Sequence, residues 1–87
     1  MVNTQEFYSD LWDKILERLI QNNKSAENSK MEFVYAEDNK LYIDSISEFR
    51  KGYYTNQYLK LLNEYLSDLS DEKLEIIFFV NKNEDAS

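Results

Sequence analysis

The spacing of apolar residues along this chain switches between a helical period and strict alternation. Between Thr4 and Asn22, apolar side chains recur every three or four positions, which is the pattern of an amphipathic helix. The same period returns from Ser45 to Leu69, where it is sustained for about six turns. Between and after these stretches the period is two, as in β-strands. This pattern predicts helices packed against a small sheet.

Three segments are predicted as strands. Met31–Ala36 and Leu41–Ile43 flank Asp38-Asn39, two short polar residues that tolerate left-handed turn geometry, so we predict a β-hairpin here. Lys73–Asn81 is the third strand, and its second half is apolar on both faces, as in a central or parallel strand. The polar segment Asn22–Lys30 is predicted as a loop containing one short helical turn.

The predicted order is helix, short helix, strand, strand, long helix, strand. This order favours an α+β fold in which helices cover one face of a three-stranded sheet, with a right-handed crossover if the last two strands are parallel. We expect Ser45 and Glu48 to form a capping box at the start of the long helix, and Gly52 to mark a close approach to its backbone. The predicted core residues are Phe33, Ile43, Leu62, Leu66, Ile76 and Phe78.

The composition excludes most catalytic chemistry. The chain has no Cys and no His, so it cannot form disulfides, Cys/His zinc sites or His-based catalytic triads. One Gly and no Pro rule out a Walker loop and a GxGxxG turn. Asp68, Asp71 and Glu72 lack the glycine and spacing of an EF-hand loop, which favours solvated surface over a metal site. We therefore expect no enzymatic activity and no cofactor.

The charge balance and the apolar runs limit the class of partner. The formal net charge is −7, which disfavours double-stranded nucleic acid as the principal partner. The longest apolar run, Ile76–Val80, is far shorter than the roughly 20 residues that cross a bilayer. Residues 1–6 lack the positive and apolar regions of a secretion signal, so we expect a cytoplasmic protein with no membrane segment.

The basic residues of interest lie on the long helix. Arg50, Lys51 and Lys60 lie near Tyr53 and Tyr54, and together such residues can neutralise and stack a few nucleotides of single-stranded DNA. The alternative is that the tyrosines belong to the core and the basic side chains are ordinary surface.

Trp12 also allows two interpretations. The first helix carries a wider apolar stripe than one small sheet needs to cover. On spacing alone, Trp12 fits either the core or an exposed protein-binding patch, where aromatic residues are typical anchors.

Four motifs add a resemblance that covers residues 9 to 83. Leu11–Leu19 resembles an LWxxxLxxL opening, and Asp38–Ile43 followed by Ser47–Phe49 resembles a DNxLxLxxPNxF segment. Tyr58–Leu62 is similar to (K/R)YLxxI, and Leu74–Phe78 falls at the position of a last strand. In this order and spacing the motifs resemble domain I of the bacterial replication initiator DnaA. The chain departs from that family at Ile46-Ser47, where the family has Pro-Asn, and in a shorter, more polar second helix.

The resemblance implies a KH-like αα-ββ-α-β fold for an interaction module of residues 1–81, with 82–87 beginning a flexible linker. It implies self-association, binding of the replicative helicase and of initiation regulators, weak contact with single-stranded DNA, and an ATPase located in a later domain. The residues that it implies for self-association are Leu11, Trp12 and Ile15. Those that it implies for helicase or regulator contact are Glu27, Ser47, Glu48 and Phe49.

A small KH-like domain that binds single-stranded nucleic acid is the alternative function. The GXXG loop that clamps nucleotides in KH domains is absent from the sequence, which favours the interaction module.

Overall fold

A computed structural model describes residues 4–81, and the predicted linker 82–87 lies outside this range. The described chain is an α+β fold with a three-stranded sheet, as predicted. Every helix in the described range is too short or too polar to cross a membrane. In chain order the elements are α1 (Thr4–Asn22), a 3-10 helix (Lys24–Asn28), β1 (Glu32–Glu37), β2 (Lys40–Asp44), α2 (Glu48–Gln57), α3 (Leu59–Leu69) and β3 (Glu75–Phe79).

The sheet has the order β1-β2-β3. β1 and β2 form the predicted antiparallel hairpin, and β3 pairs with β2 in parallel. The hairpin turns at Asp38 and Asn39, whose φ angles are 55° and 64°. Two consecutive residues with positive φ form the tight turn that matches the twist of the flanking strands. A register shift between Phe33 and Tyr35 leaves Val34 without a cross-strand partner, as in a β-bulge.

The core lies between the helices and one face of the sheet. Five of the six predicted core residues are buried, and Phe33 is half-buried against them. The centre of the core is formed by fully buried aliphatic side chains from α1, β2 and α3, namely Ile15, Leu19, Leu41, Ile43 and Leu62. The helices therefore cover one face of the sheet, as predicted.

The long helix predicted from Ser45 to Leu69 is two helices. Tyr58 separates α2 from α3 with φ −124° and ψ −18°, outside helical geometry. The hydrogen bonds from Tyr58 N–H to Tyr54 O and from Leu62 N–H to Tyr58 O, both 2.8 Å, keep the two helices continuous in space. Because α2 packs on β3 whereas α3 packs on both α1 and β3, the bend allows Tyr54, Tyr58 and Leu62 all to enter the same core.

Candidate functional site

A groove of about 270 Å³ lies between the 3-10 helix and α2. We call it the α2 groove. Its walls carry both polar and aromatic side chains: Ser25, Asn28, Ser29, Phe49, Arg50, Tyr53 and Tyr54. Because no carboxylate lines it, the groove differs in charge from most of this acidic domain.

The floor of the α2 groove is anchored in the core. Tyr54 is buried, and its hydroxyl accepts a hydrogen bond of 2.8 Å from the Lys30 backbone N–H. Its ring packs against Phe78, with centroids 6.1 Å apart. The Ser25 hydroxyl lies 3.4 Å from the hydroxyl of buried Tyr58. These contacts fix the segment between α1 and β1 onto α2, so the groove is preformed.

Phe49 stands at the rim of the α2 groove in the first turn of α2. It is 83% exposed, the largest exposed fraction among the large apolar side chains of residues 4–81. Tyr53, one helical turn later, is 45% exposed. Residues four apart share one face of a helix, and both rings line the groove. Single apolar residues on a surface are common, but adjoining exposed aromatics beside a cavity are typical of binding sites.

Ser47 caps α2. The predicted cap at Ser45 is wrong by two residues, because the Ser47 hydroxyl accepts the Arg50 N–H at 3.2 Å. Ser45 is fully buried, and its backbone N–H instead donates to Phe79 O at the end of β3. The Ser45 side-chain oxygen has no hydrogen-bond partner within the described residues. Glu48 is the exposed first residue of the helix.

A strained turn precedes this cap. Ile46 has φ 76°, which is unfavourable for a β-branched residue. Its N–H donates to Asp44 Oδ1 at 2.9 Å, and the Ser47 N–H bonds to Ser45 O at 2.8 Å across it. Proline could not take this geometry, because its ring fixes φ near −65° and removes the N–H. The turn therefore differs locally from the Pro-Asn of the DnaA family. Strain of this kind tends to occur at functional positions.

The groove carries a cation without an internal counter-ion. Arg50 has no carboxylate within 4 Å among residues 4–81, where Arg18–Asp68 at 3.6 Å is the one ion pair. A hydrogen bond with Tyr58 raises the pKa of the Tyr53 phenol above its ordinary 10.0, so Tyr53 is a neutral hydroxyl at pH 7. The groove thus presents a free guanidinium, a neutral phenol and the Phe49 ring, a combination suited to an apolar segment that carries a carboxylate.

The three side chains predicted to form an exposed self-association patch are buried. Trp12 is 2% exposed, and its indole N–H donates to Met31 O at 3.3 Å. Leu11 and Ile15 are also buried, in the cluster that α1 shares with α3 and the sheet. Most of the wide apolar stripe of α1 is covered, because α3 as well as the sheet packs on it, whereas Phe7 remains exposed. These three side chains therefore belong to the core and do not form an exposed patch.

The predicted basic cluster is divided by the bend. Arg50 lines the α2 groove, and Lys51 follows it as a half-buried residue of the same helix. Lys60 is exposed on α3, beyond Tyr58, and does not line the groove.

Among the carboxylates, Asp68 pairs with Arg18 and Glu72 accepts a hydrogen bond from the Tyr8 hydroxyl at 2.9 Å. Within residues 4–81, no three acidic side chains come together in a way that could hold a metal ion. Glu27 is exposed on the 3-10 helix that forms one wall of the groove.

Sequence reasoning missed three lining residues of the α2 groove, Ser25, Asn28 and Ser29. They belong to a polar stretch without periodicity, and their place in the groove depends on hydrogen bonds to tyrosines far along the chain. Comparison with models of known protein families gave no match, and no curated protein matched the chain.

Proposed function

We propose that this chain is a protein-interaction module of a bacterial DNA replication initiator, and that it recruits the replicative helicase or an initiation regulator through the α2 groove. The observation that carries this proposal is Phe49, which is almost fully exposed beside a preformed groove. An aromatic side chain that becomes fully desolvated in a partner is a typical interface anchor. The resemblance of Asp38–Phe49 to DnaA domain I supplies the class of partner.

The charges around the groove favour an acidic contact from the partner. The Arg50 guanidinium has five N–H donors, and among residues 4–81 no carboxylate lies within 4 Å to receive them. A partner carboxylate can therefore bind it without first breaking an ion pair. Ser47, Glu48 and Glu27 lie on the elements that flank the groove and would form its polar rim.

A second candidate function is weak binding of single-stranded DNA. Arg50 and the exposed Tyr53 both line the α2 groove, so a cation and a stacking surface are adjacent, and Lys51 follows Arg50 in the same helix. The net charge of −7 opposes this function, and the separation of Lys60 from the groove removes one of its three cations.

The experiment compares Phe49→Ala with Phe7→Ala in binding to the purified replicative helicase. Phe7 is a matched control because it is also an exposed phenylalanine, at 52%, but lies on α1 away from the groove. We expect Phe49→Ala to weaken binding about thirtyfold, corresponding to about 2 kcal/mol. Its melting temperature should be close to wild type, since so exposed a side chain contributes little to the core. Phe7→Ala should bind as wild type does.

Two results would contradict the proposal. One is equal binding by wild type and both variants. The other is a loss of binding by Phe49→Ala that disappears once the fraction of unfolded protein is taken into account. A parallel titration with an oligothymidine strand tests the second function, since binding that weakens steeply with salt and depends on Arg50 would support single-stranded DNA as the ligand.

A further inference from the structure

The face of the sheet opposite the helices is an aromatic surface, which we call the open face. Tyr35 and Tyr42 stack with ring centroids 4.5 Å apart and planes 10° apart. Phe79 meets the Tyr42 ring edge-on at 6.3 Å. Ile77 pairs with Tyr42 across the parallel strands and extends the same row. Tyr35 is 40% exposed, and the other three side chains are partly exposed.

No described helix covers the open face. The buried residues of β2 and β3 are Leu41, Ile43, Ile76 and Phe78, which alternate with the open-face residues and meet the helices. The smallest extent of the fold is 17 Å, enough for one layer of helices and one sheet. Within residues 4–81, the aromatic row therefore faces away from the helices.

Carboxylates surround the aromatic row. In the strand registers, Glu37, Lys40 and Glu75 lie side by side on one flank of the aromatic row. Glu32 and Asp44 lie side by side on the other flank. The open face thus carries four carboxylates against one ammonium group, a formal net charge of −3. Such a surface repels a phosphate backbone, although its rings could stack on bases. It attracts guanidinium and ammonium groups through both the carboxylates and the electron-rich ring faces.

The edges of the sheet are less accessible than this face. The Gln5 side-chain amide donates to Ala36 O at 2.9 Å and accepts the Ala36 N–H at 2.7 Å, which occupies the outer edge of β1. On β3, the Ile76 N–H donates to Asn63 Oδ1 at 3.3 Å. These side chains already hydrogen-bond backbone groups at the sheet edges that an added strand would need for pairing. A partner at the sheet is therefore expected to contact side chains on the face.

We propose that the open face binds a basic segment of a partner protein, with an arginine or lysine side chain against the outer face of the Tyr35 ring, whose inner face stacks on Tyr42, and with the surrounding carboxylates neutralising the bound cations. The proposal does not depend on the α2 groove, since the groove lies on the helical side of the domain. A negative binding result for one of these surfaces therefore leaves the proposal for the other surface unchanged.

The test is an NMR titration of the 87-residue chain with a synthetic arginine–glycine repeat peptide. We expect shifts concentrated on Tyr35, Tyr42, Ile77 and Phe79. Tyr35→Ala should weaken binding about two- to fivefold, the size of an exposed cation–π contact. Glu75→Gln should weaken binding and flatten its salt dependence.

The matched controls lie on the helical side. Phe7→Ala removes a more exposed aromatic, on α1, and Glu64→Gln removes an exposed carboxylate of α3. Both should leave peptide binding unchanged. The proposal is overturned if Glu64→Gln weakens binding as much as Glu75→Gln, because the attraction would then be general charge. It is equally overturned if the peptide causes no shifts at millimolar concentration, or if an oligothymidine strand binds the open face more tightly than the peptide.

Discussion

Gly52 allows a stability prediction, because replacing it by alanine adds a single carbon atom, the Cβ. It lies inside α2 without a positive φ, and a Cβ added there would meet nothing within 4 Å. The sequence-based expectation that something packs against this backbone is therefore wrong for the described residues 4–81. We expect Gly52→Ala to stabilise the chain, because glycine loses more backbone freedom than alanine when a helix forms.

The size of the effect follows from this open environment. No contact is removed and no atom must move, so the full difference in helix propensity applies, about 0.8–1.0 kcal/mol. In a domain of this size, about 1 kcal/mol raises the Tm by roughly 4–8 °C. Asn56→Ala is a useful companion, because Asn56 is exposed in the same helix and its expected gain is smaller, at most about 0.7 kcal/mol.

Paired urea and thermal unfolding of wild type, Gly52→Ala and Asn56→Ala measure both gains. If Asn56→Ala is stabilised but Gly52→Ala is not, then other atoms do pack on Gly52 and the reasoning fails at that position. If neither variant gains stability, α2 is not a well-formed helix in solution.

Four further outcomes follow from buried or hydrogen-bonded residues. Trp12→Ala and Phe78→Ala should each cost about 3–5 kcal/mol in urea unfolding, because both side chains are core; a stable variant at either position would contradict its assignment. Ile46→Pro should lower the free energy of unfolding by more than about 1 kcal/mol, since proline fits neither φ 76° nor the hydrogen bond of its N–H, and an unchanged urea midpoint would refute this. The hydrogen bond to Glu72 raises the pKa of the Tyr8 phenol above its ordinary value of 10.0. The contact therefore stabilises the folded state fully below pH 10.0, and this stabilisation is lost as the pH rises through the folded-state pKa. Tyr8→Phe should therefore be less stable than wild type at pH 7, and the difference should shrink in alkaline unfolding titrations.

The helix–strand order and most of the core were predictable because they depend on periodicity. Ile43, Leu62, Leu66, Ile76 and Phe78 each follow a clear period of 3.6 or 2, and each is buried. The turn between β1 and β2 was equally predictable, because its two residues tolerate positive φ.

The features that could not be predicted depend on tertiary packing. Periodicity cannot place the bend at Tyr58, since the apolar stripe continues through it and neither Pro nor Gly marks it. Periodicity cannot decide whether Trp12 belongs to an exposed patch or to the core, because its burial depends on α3 covering a second side of α1. Ser45 and Ser47 are both reasonable caps, and the choice is decided by the bond that draws the Ser45 backbone to β3.

The two proposed surfaces select partners of opposite charge. The α2 groove offers the Arg50 cation, which has no carboxylate partner in the described part of the chain, and it has no lining carboxylate. The open face carries a formal charge of −3 around its aromatic row. The negative charge of the open face disfavours binding of the acidic segment that we propose for the α2 groove. Likewise, Arg50 in the groove disfavours binding of the basic segment that we propose for the open face. The two proposed surfaces therefore do not compete for the same class of segment.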